Sequence, residues 1–338
     1  MNHSKELIVP VFIPHSGCTH NCVFCNQNTI TGKYSAPAPE EMGRSLRSRL
    51  GPDTPHAVIA FYGGSFTCLP LAVQESYLAV AGGLVGLGYA RHVRLSTRPD
   101  CMDDAVAEFL HVRGVRVVEL GVQSMDDKVL RASARGHVSA DTVSASRAVK
   151  EAGMELGLQV MAGLPGDTPD GFMRTVERVI GLGPGFVRVY PVLVVRGAPL
   201  EALYRRGGYT PLGLDEAVQL CADAVLLFRA AGIKVVRTGL QPTAELEAAV
   251  LAGPYHPSFG HMVASELAFR RMLDAARTEA GHGPSSSVGF SVHPVELSEF
   301  LGIRKVNIDR LKDALGIADA SIVADVSVPR GGLAITRM

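Results

Sequence analysis

Leu7-Ile8-Val9-Pro10-Val11-Phe12-Ile13 runs directly into Pro14-His15-Ser16-Gly17-Cys18-Thr19-His20-Asn21-Cys22-Val23-Phe24-Cys25-Asn26-Gln27. An apolar, β-branched run followed by a polar, glycine-containing stretch reads as a strand and the loop beyond its C-terminal end. The same pair recurs down the chain. Further strands are predicted over residues 57–62, 92–96, 115–122, 156–161, 186–195 and 234–237, with helices over 71–82, 102–112, 141–152 and 169–180 between them. Near-continuous apolar strands alternating with helices predict an α/β fold with a parallel sheet under helices. Six or seven such units predict a partial or full (β/α) barrel. An open doubly wound sheet is the other architecture this pattern permits, because strand order is not written in the sequence.

In either architecture the functional groups belong where strands end. Cys18, Cys22 and Cys25 follow the first strand, and Gly63-Gly64-Ser65 the second. Ser96-Thr97-Arg98, Gln123-Ser124 and Gly163-Leu164-Pro165-Gly166 follow the third, fourth and fifth. Every polar or glycine-rich cluster falls at the same end of its strand, which predicts one shared site.

Composition narrows the classes. The 338 residues are 47% hydrophobic and 20% charged, which excludes wholesale disorder. Lys and Arg together number 33, as do Asp and Glu, which argues against a strongly basic nucleic-acid coat protein. No apolar run approaches the ~18 residues of a membrane span. The longest candidate, residues 78–90, carries four glycines. Residues 1–6 lead straight into the first strand and leave no room for a signal peptide, so a cytoplasmic location is expected. After residue 240 the pattern changes to loops, and a Gly/Ser-rich stretch at 281–287 reads as a linker. The expected organisation is a barrel over 1–245, a helical extension over 246–280 and a small α/β appendage over 281–338.

Six cysteines are present, and three of them crowd into eight residues. A disulfide framework is not indicated by size or compartment. Cys68, Cys101 and Cys221 are read as isolated structural residues. The C-x3-C-x2-C triplet offers soft thiolates to iron–sulfur or zinc. A [4Fe–4S] cube takes four cysteines, so three would leave one iron open. The competing reading is a structural Cys3His zinc site closed by His15 or His20.

The triplet, with Phe24 before its last cysteine, resembles the C-x3-C-x-Φ-C motif of the radical S-adenosylmethionine (SAM) superfamily. The likeness extends through Phe61–Phe66, Ser96–Asp100, Glu119–Ser124, Arg135-Gly136-His137, Gly163-Leu164-Pro165 and Tyr190–Gly197. Over about residues 7–270 the chain is similar to the radical SAM half of the Elongator catalytic subunit family, closest to its short bacterial relatives. It is more distantly similar to oxygen-independent coproporphyrinogen oxidase.

The resemblance implies a barrel of radical SAM type, a [4Fe–4S] cluster on Cys18, Cys22 and Cys25, and SAM on the open iron. Reductive cleavage of SAM to a 5′-deoxyadenosyl radical, fed by flavodoxin or ferredoxin, then abstracts hydrogen from a substrate. It implies cofactor contacts by Phe24, Gly63, Gly64, Ser65, Ser96, Arg98, Gln123, Arg135, Gln159 and Leu164. Phe24 would shield the cluster and touch adenine, and Gly63-Gly64 would admit the methionine moiety. Gln123 would meet the ribose and Arg135 the SAM carboxylate. Ser96 and Gln159 depart from acidic residues in the distant relative. Arg98 is read either as a bidentate carboxylate binder or as the partner of Asp100. Thr168-Pro169-Asp170 also reads as an ordinary helix start. His256 and His261 are read as structural.

The resemblance makes a tRNA base the first-ranked substrate, ahead of a small molecule or tetrapyrrole. Only about 70 residues follow position 270, too few for the family's acetyltransferase domain, so neither acetyl-CoA nor acetyl transfer is expected. Arg270, Arg271, Arg304, Lys305, Arg310 and Lys312 are read as solvated helix faces before phosphate contacts. The other classes kept open are a zinc-stabilised or cluster-bearing interaction module without chemistry, and a coproporphyrinogen-oxidase-like enzyme acting on a small molecule.

Overall fold

The structure, a computed structural model, describes residues 6–32, 34–54, 56–279 and 287–337. Most of the 281–287 stretch and residues 1–5 therefore lie outside the described residues. The chain divides into two compact units, one of residues 1–213 and 227–255, the other of 214–226 and 256–338.

The first unit is built on a parallel sheet of β1 (Leu7–Phe12), β2 (Ala57–Tyr62), β3 (His92–Thr97), β4 (Val115–Gln123), β5 (Glu155–Ala162) and β6 (Phe186–Pro191), closed off by β8 (Lys234–Thr238). The strands lie in chain order, and every pairing in this sheet is parallel. β1 and β8 are its edges, so the barrel is partial. Its curvature is visible in one contact. Tyr62 on β2 and Arg188 on β6 stand four strands apart, about 19 Å in a flat sheet. Their side chains nevertheless meet, with Arg188 Nη2 donating to the Tyr62 hydroxyl over 3.4 Å.

One strand departs from expectation. Residues 186–195 do not form a single strand. Pro191 has no N–H for a further ladder bond, and the chain turns at Val192-Leu193. β7 (Val194–Val195) then pairs antiparallel with β9 (Val250–Ala252). Helix starts follow the local sequence. Pro169–Gly181 opens with Thr168 as N-cap, its hydroxyl accepting from Gly171 N (3.0 Å), with Pro169 and Asp170 in the first turn.

In the second unit, β10 (Ser287–Val292) lies between β11 (Asp319–Ala324), parallel, and β12 (Ala334–Arg337), antiparallel. Phe290, Phe300, Leu311 and Met272 form one core there, so the long helix Phe259–Glu279 and the last fifty residues bury the same apolar surface. The basic residues of this unit are largely committed. Arg270 bonds Asp223 and Glu266, and Arg310 bonds Glu266 (2.6 Å) and lies over the Phe269 ring. Arg271 donates to Gly331 O (2.8 Å). Arg304 and Lys305 instead hold left-handed backbone, φ 54° and 62°. Among the described residues no helix is long and apolar enough to cross a membrane.

Candidate active site

The loop after β1 is locked to the loop after β2 through backbone. Ile13 N donates to Tyr62 O (2.8 Å), His15 N to Gly63 O (3.0 Å) and Ser65 N to Ser16 O (2.9 Å). This closeness requires two glycines. A Cβ on Gly17 would lie 2.2 Å from Ser65 O, and one on Gly64 would lie 2.4 Å from Ser16 O. The expected approach of Gly64 to a ligand is thus preceded by a structural need, the seating of the cysteine loop. Gly63 holds φ 90°, which L side chains rarely adopt.

Each sulfur of the triplet faces one polar group from a different part of the fold. The buried Ser65 hydroxyl stands 3.8 Å from Cys18 Sγ. Gln27 Nε2 donates to Cys25 Sγ over 3.5 Å, and Arg135 Nη1 donates to Cys22 Sγ over 3.1 Å. Burial first, and then the neighbouring Cys22, push the Cys25 thiol up to about 12. Burial also raises Cys18, against the Ser65 bond. Both histidines of the zinc reading have other contacts. His15 Nε2 accepts from Gln27 N (3.0 Å), and His20 Nδ1 bonds Thr19 Oγ1 (2.9 Å). The His20 ring fills the space above Gly136, where a Cβ would lie 2.3 Å from it. Among the described residues no three His, Cys, Asp or Glu side chains are grouped to hold a metal ion.

The other predicted residues gather around this loop with unequal freedom. Gln123 ends β4 with φ 66°, and Gln159 Nε2 donates to its Oε1 over 3.4 Å. A left-handed glutamine at a register irregularity between Gly121 and Gln123 is the kind of strained backbone found at functional sites. Arg135 also donates to Gly121 O (2.5 Å), beside which a Cβ would crowd its guanidinium at 3.3 Å. Arg98 is not a free carboxylate binder. Its fork is bidentate to Asp100, Nε to Oδ1 and Nη2 to Oδ2, both 2.9 Å, and Nη2 also donates to Arg135 O. Ser96 Oγ donates to Phe61 O (3.3 Å). Leu164 is buried in an apolar cluster with Val23, Met161 and Tyr190, against which Phe24 packs.

The structure corrects one reading of the cysteines. Cys68 and Cys101 are not isolated residues; they are joined by a disulfide between the short helices Phe66–Cys68 and Pro99–Cys101. Spacing hid the pair, because two distant strand ends bring them together. Cys221 is fully buried and free, as expected.

Two features escaped the sequence. His137 is buried beside Arg135 and Arg98, and both its ring nitrogens lack partners among the described residues. Burial, and then those two cations, lower its pKa to about 3, so the ring is neutral. On the concave face of the sheet, Glu119 accepts from Arg94 Nη2 (2.6 Å), Arg188 Nε (2.5 Å) and the Tyr62 hydroxyl (3.0 Å). Burial alone would raise Glu119, but Arg188 and Arg94 outweigh it and hold the carboxyl below its usual range. The available signal was a charged residue inside three apolar runs: Val93-Arg94-Leu95, Val118-Glu119-Leu120 and Val187-Arg188-Val189.

Comparison with known proteins agrees with this arrangement. A model of the radical SAM superfamily matches residues 12–179, and one of the radical SAM C-terminal domain matches residues 184–268. The chain is 29% identical over 222 residues to an uncharacterized protein of Methanocaldococcus jannaschii, covering 61% of this chain and 67% of that one. It is 27% identical over 243 residues to a tRNA uridine(34) acetyltransferase of Dehalococcoides mccartyi, covering 61% of this chain and 53% of the relative. It thus spans about half the length of that relative. Among solved structures, Methanocaldococcus infernus Elp3 with an N-terminal deletion has a TM-score of 0.63 at 19% identity, covering 80% of this chain and 64% of that one. At that identity the likeness is one of fold.

Proposed function

Because this chain belongs to the radical SAM superfamily, we propose that Cys18, Cys22 and Cys25 carry a [4Fe–4S] cluster whose remaining iron is left to S-adenosylmethionine. The observation that carries the reading is the set of three free thiols on one loop, each met by a single polar group from Ser65, Arg135 or Gln27. Three such contacts suit sulfur atoms that bear negative charge as ligands. The zinc reading has less support, since His15 Nε2 and His20 Nδ1 already have partners.

The chemistry such a cluster supplies when bound is one-electron reductive cleavage of the SAM sulfonium, which gives methionine and a 5′-deoxyadenosyl radical that takes a hydrogen atom from the substrate. The chain's own residues orient and shelter that chemistry. Phe24 and Leu164, joined in one apolar cluster, exclude water on the adenine side. Gly63, Gly64 and Ser65 shape the loop against which the methionine end lies. The Gln123 and Gln159 amides offer donors and acceptors to ribose hydroxyls, and the Ser96 hydroxyl adds a further polar group. Arg135 holds Cys22 and, with Arg98 and Asp100, places a fixed charge network beside it. This assigns Arg98 a positioning role.

The Dehalococcoides relative is described as acting on tRNA uridine 34, and we take a nucleotide of RNA as the substrate class. A soluble one-electron donor, flavodoxin or ferredoxin, completes a cytoplasmic system. Anaerobic reconstitution tests the first step: about four irons per chain and 5′-deoxyadenosine released under dithionite are expected. A single zinc and no deoxyadenosine would overturn it. Comparison of modified tRNA nucleosides between a deletion strain and its parent tests the substrate, and identical profiles would remove RNA from consideration.

A further inference from the structure

Arg188 on β6 and Arg237 on β8 are register partners on neighbouring parallel strands. Like charges side by side repel, and half-buried guanidiniums need partners to offset their lost hydration. Among the described residues, Glu119 is the carboxylate bonded to Arg188, and it is shared with Arg94. Arg94, Arg188 and Arg237 therefore stand against one carboxylate, leaving two positive charges over. The Arg188 Nη1 atom reaches only the Tyr190 hydroxyl, at 3.5 Å. Arg237 makes no hydrogen bond or ion pair among the described residues, yet its charge acts on the Tyr190 hydroxyl. Both guanidiniums thus approach one phenol on the concave face.

We propose that Arg188 and Arg237 form an oxyanion site that takes a phosphate or carboxylate group of the substrate. Planar guanidiniums suit this task, because each offers paired N–H donors to two oxygens of one group. The Tyr190 hydroxyl, accepting from Arg188, keeps its own proton to donate. Glu119 fixes the Arg188 fork from the other side, so the anion meets a preorganised cation. The site selects substrates that bring negative charge into the barrel. It deepens the radical SAM reading, and only the word substrate rests on that reading, since the charge excess belongs to the fold.

The test is calorimetric titration of the anaerobically reconstituted protein with inorganic phosphate and, separately, with acetate. One site is expected, weakened about tenfold or more in Arg237→Gln and partly restored in Arg237→Lys. Arg237→Gln is the cleaner variant because Arg188→Gln would also unpair Glu119. Tighter phosphate than acetate assigns a phosphate ester; the reverse assigns a carboxylic acid. No binding of either anion, or a loss below about threefold in Arg237→Gln, overturns the site. Iron and 5′-deoxyadenosine are measured on the same preparation. If both are present without anion binding, the oxyanion site falls and the cluster reading stands. If anion binding persists without iron, the outcome is reversed.

Discussion

Arg135 Nη1 donates to Cys22 Sγ over 3.1 Å, across 113 residues of sequence. This bond ties the loop after β4 and its following helix to the middle ligand of the cysteine loop. Hydrogen bonds to ligand sulfur, above all from a cation, stabilise the reduced state of an iron–sulfur cluster. Arg135→Gln is therefore expected to keep the three thiols and lower the reduction potential, by on the order of 60 mV or more. EPR-monitored potentiometry on the reconstituted protein checks this. An unchanged potential would mean that the arginine serves Gly121 O alone.

Glu119 pairs with two buried arginines, and removing its charge leaves both uncompensated. Glu119→Gln is expected to destabilise the fold by about 3–5 kcal/mol at neutral pH. The pH dependence has a definite sign. The folded carboxyl titrates below its ordinary value of 4.5. Its stabilisation is whole above the unfolded pKa and is lost as pH falls through the lower folded value. Urea unfolding of both proteins should therefore show a wide gap at pH 7 that narrows in acid. A gap independent of pH would disprove the charge argument.

Cys68 and Cys101 close a loop with a sequence separation of 33. In the chain-entropy account such a crosslink contributes about 3–4 kcal/mol. Protein prepared without reductant should resist alkylation at both positions, and dithiothreitol should lower its midpoint of unfolding. Cys68→Ala should show the lower midpoint already and no further response to dithiothreitol. Ready alkylation of both residues without reductant would exclude the bridge.

Two glycines on neighbouring elements predict opposite outcomes. Gly64→Ala would drive its methyl to 2.4 Å from Ser16 O and 2.5 Å from Ile13 O, both backbone atoms that cannot move aside. A loss of about 1–3 kcal/mol is expected, together with poorer iron uptake. Gly83→Ala, inside the helix Leu71–Gly86 with nothing within 4 Å of its Cβ, should stabilise by up to about 1 kcal/mol. Thermal melts and iron analysis of the two variants decide between this account and one in which both glycines are interchangeable.

Strand existence, strand direction and the gathering of site residues at one end were legible in the chain, because they depend on local patterns. β2 matches its expected bounds, and β1, β3, β4, β5 and β8 shift by one residue or so at an end. The break at Pro191 was also local in origin, but the length of the apolar run from 186 to 195 masked it.

What the amino-acid order determined by itself was the α/β alternation, the cysteine triplet and the loops that follow each strand. Those features arise from periodicity, β-branching and turn residues within a few positions of one another. The tertiary structure alone decided which charges meet. The Arg98 fork closes on Asp100, Arg135 turns to Cys22, and Cys68 reaches Cys101. It also placed Arg188 beside Arg237 with too few carboxylates between them. Strand curvature and register set these distances, and pairing energies between side chains depend on distances that a linear sequence does not contain.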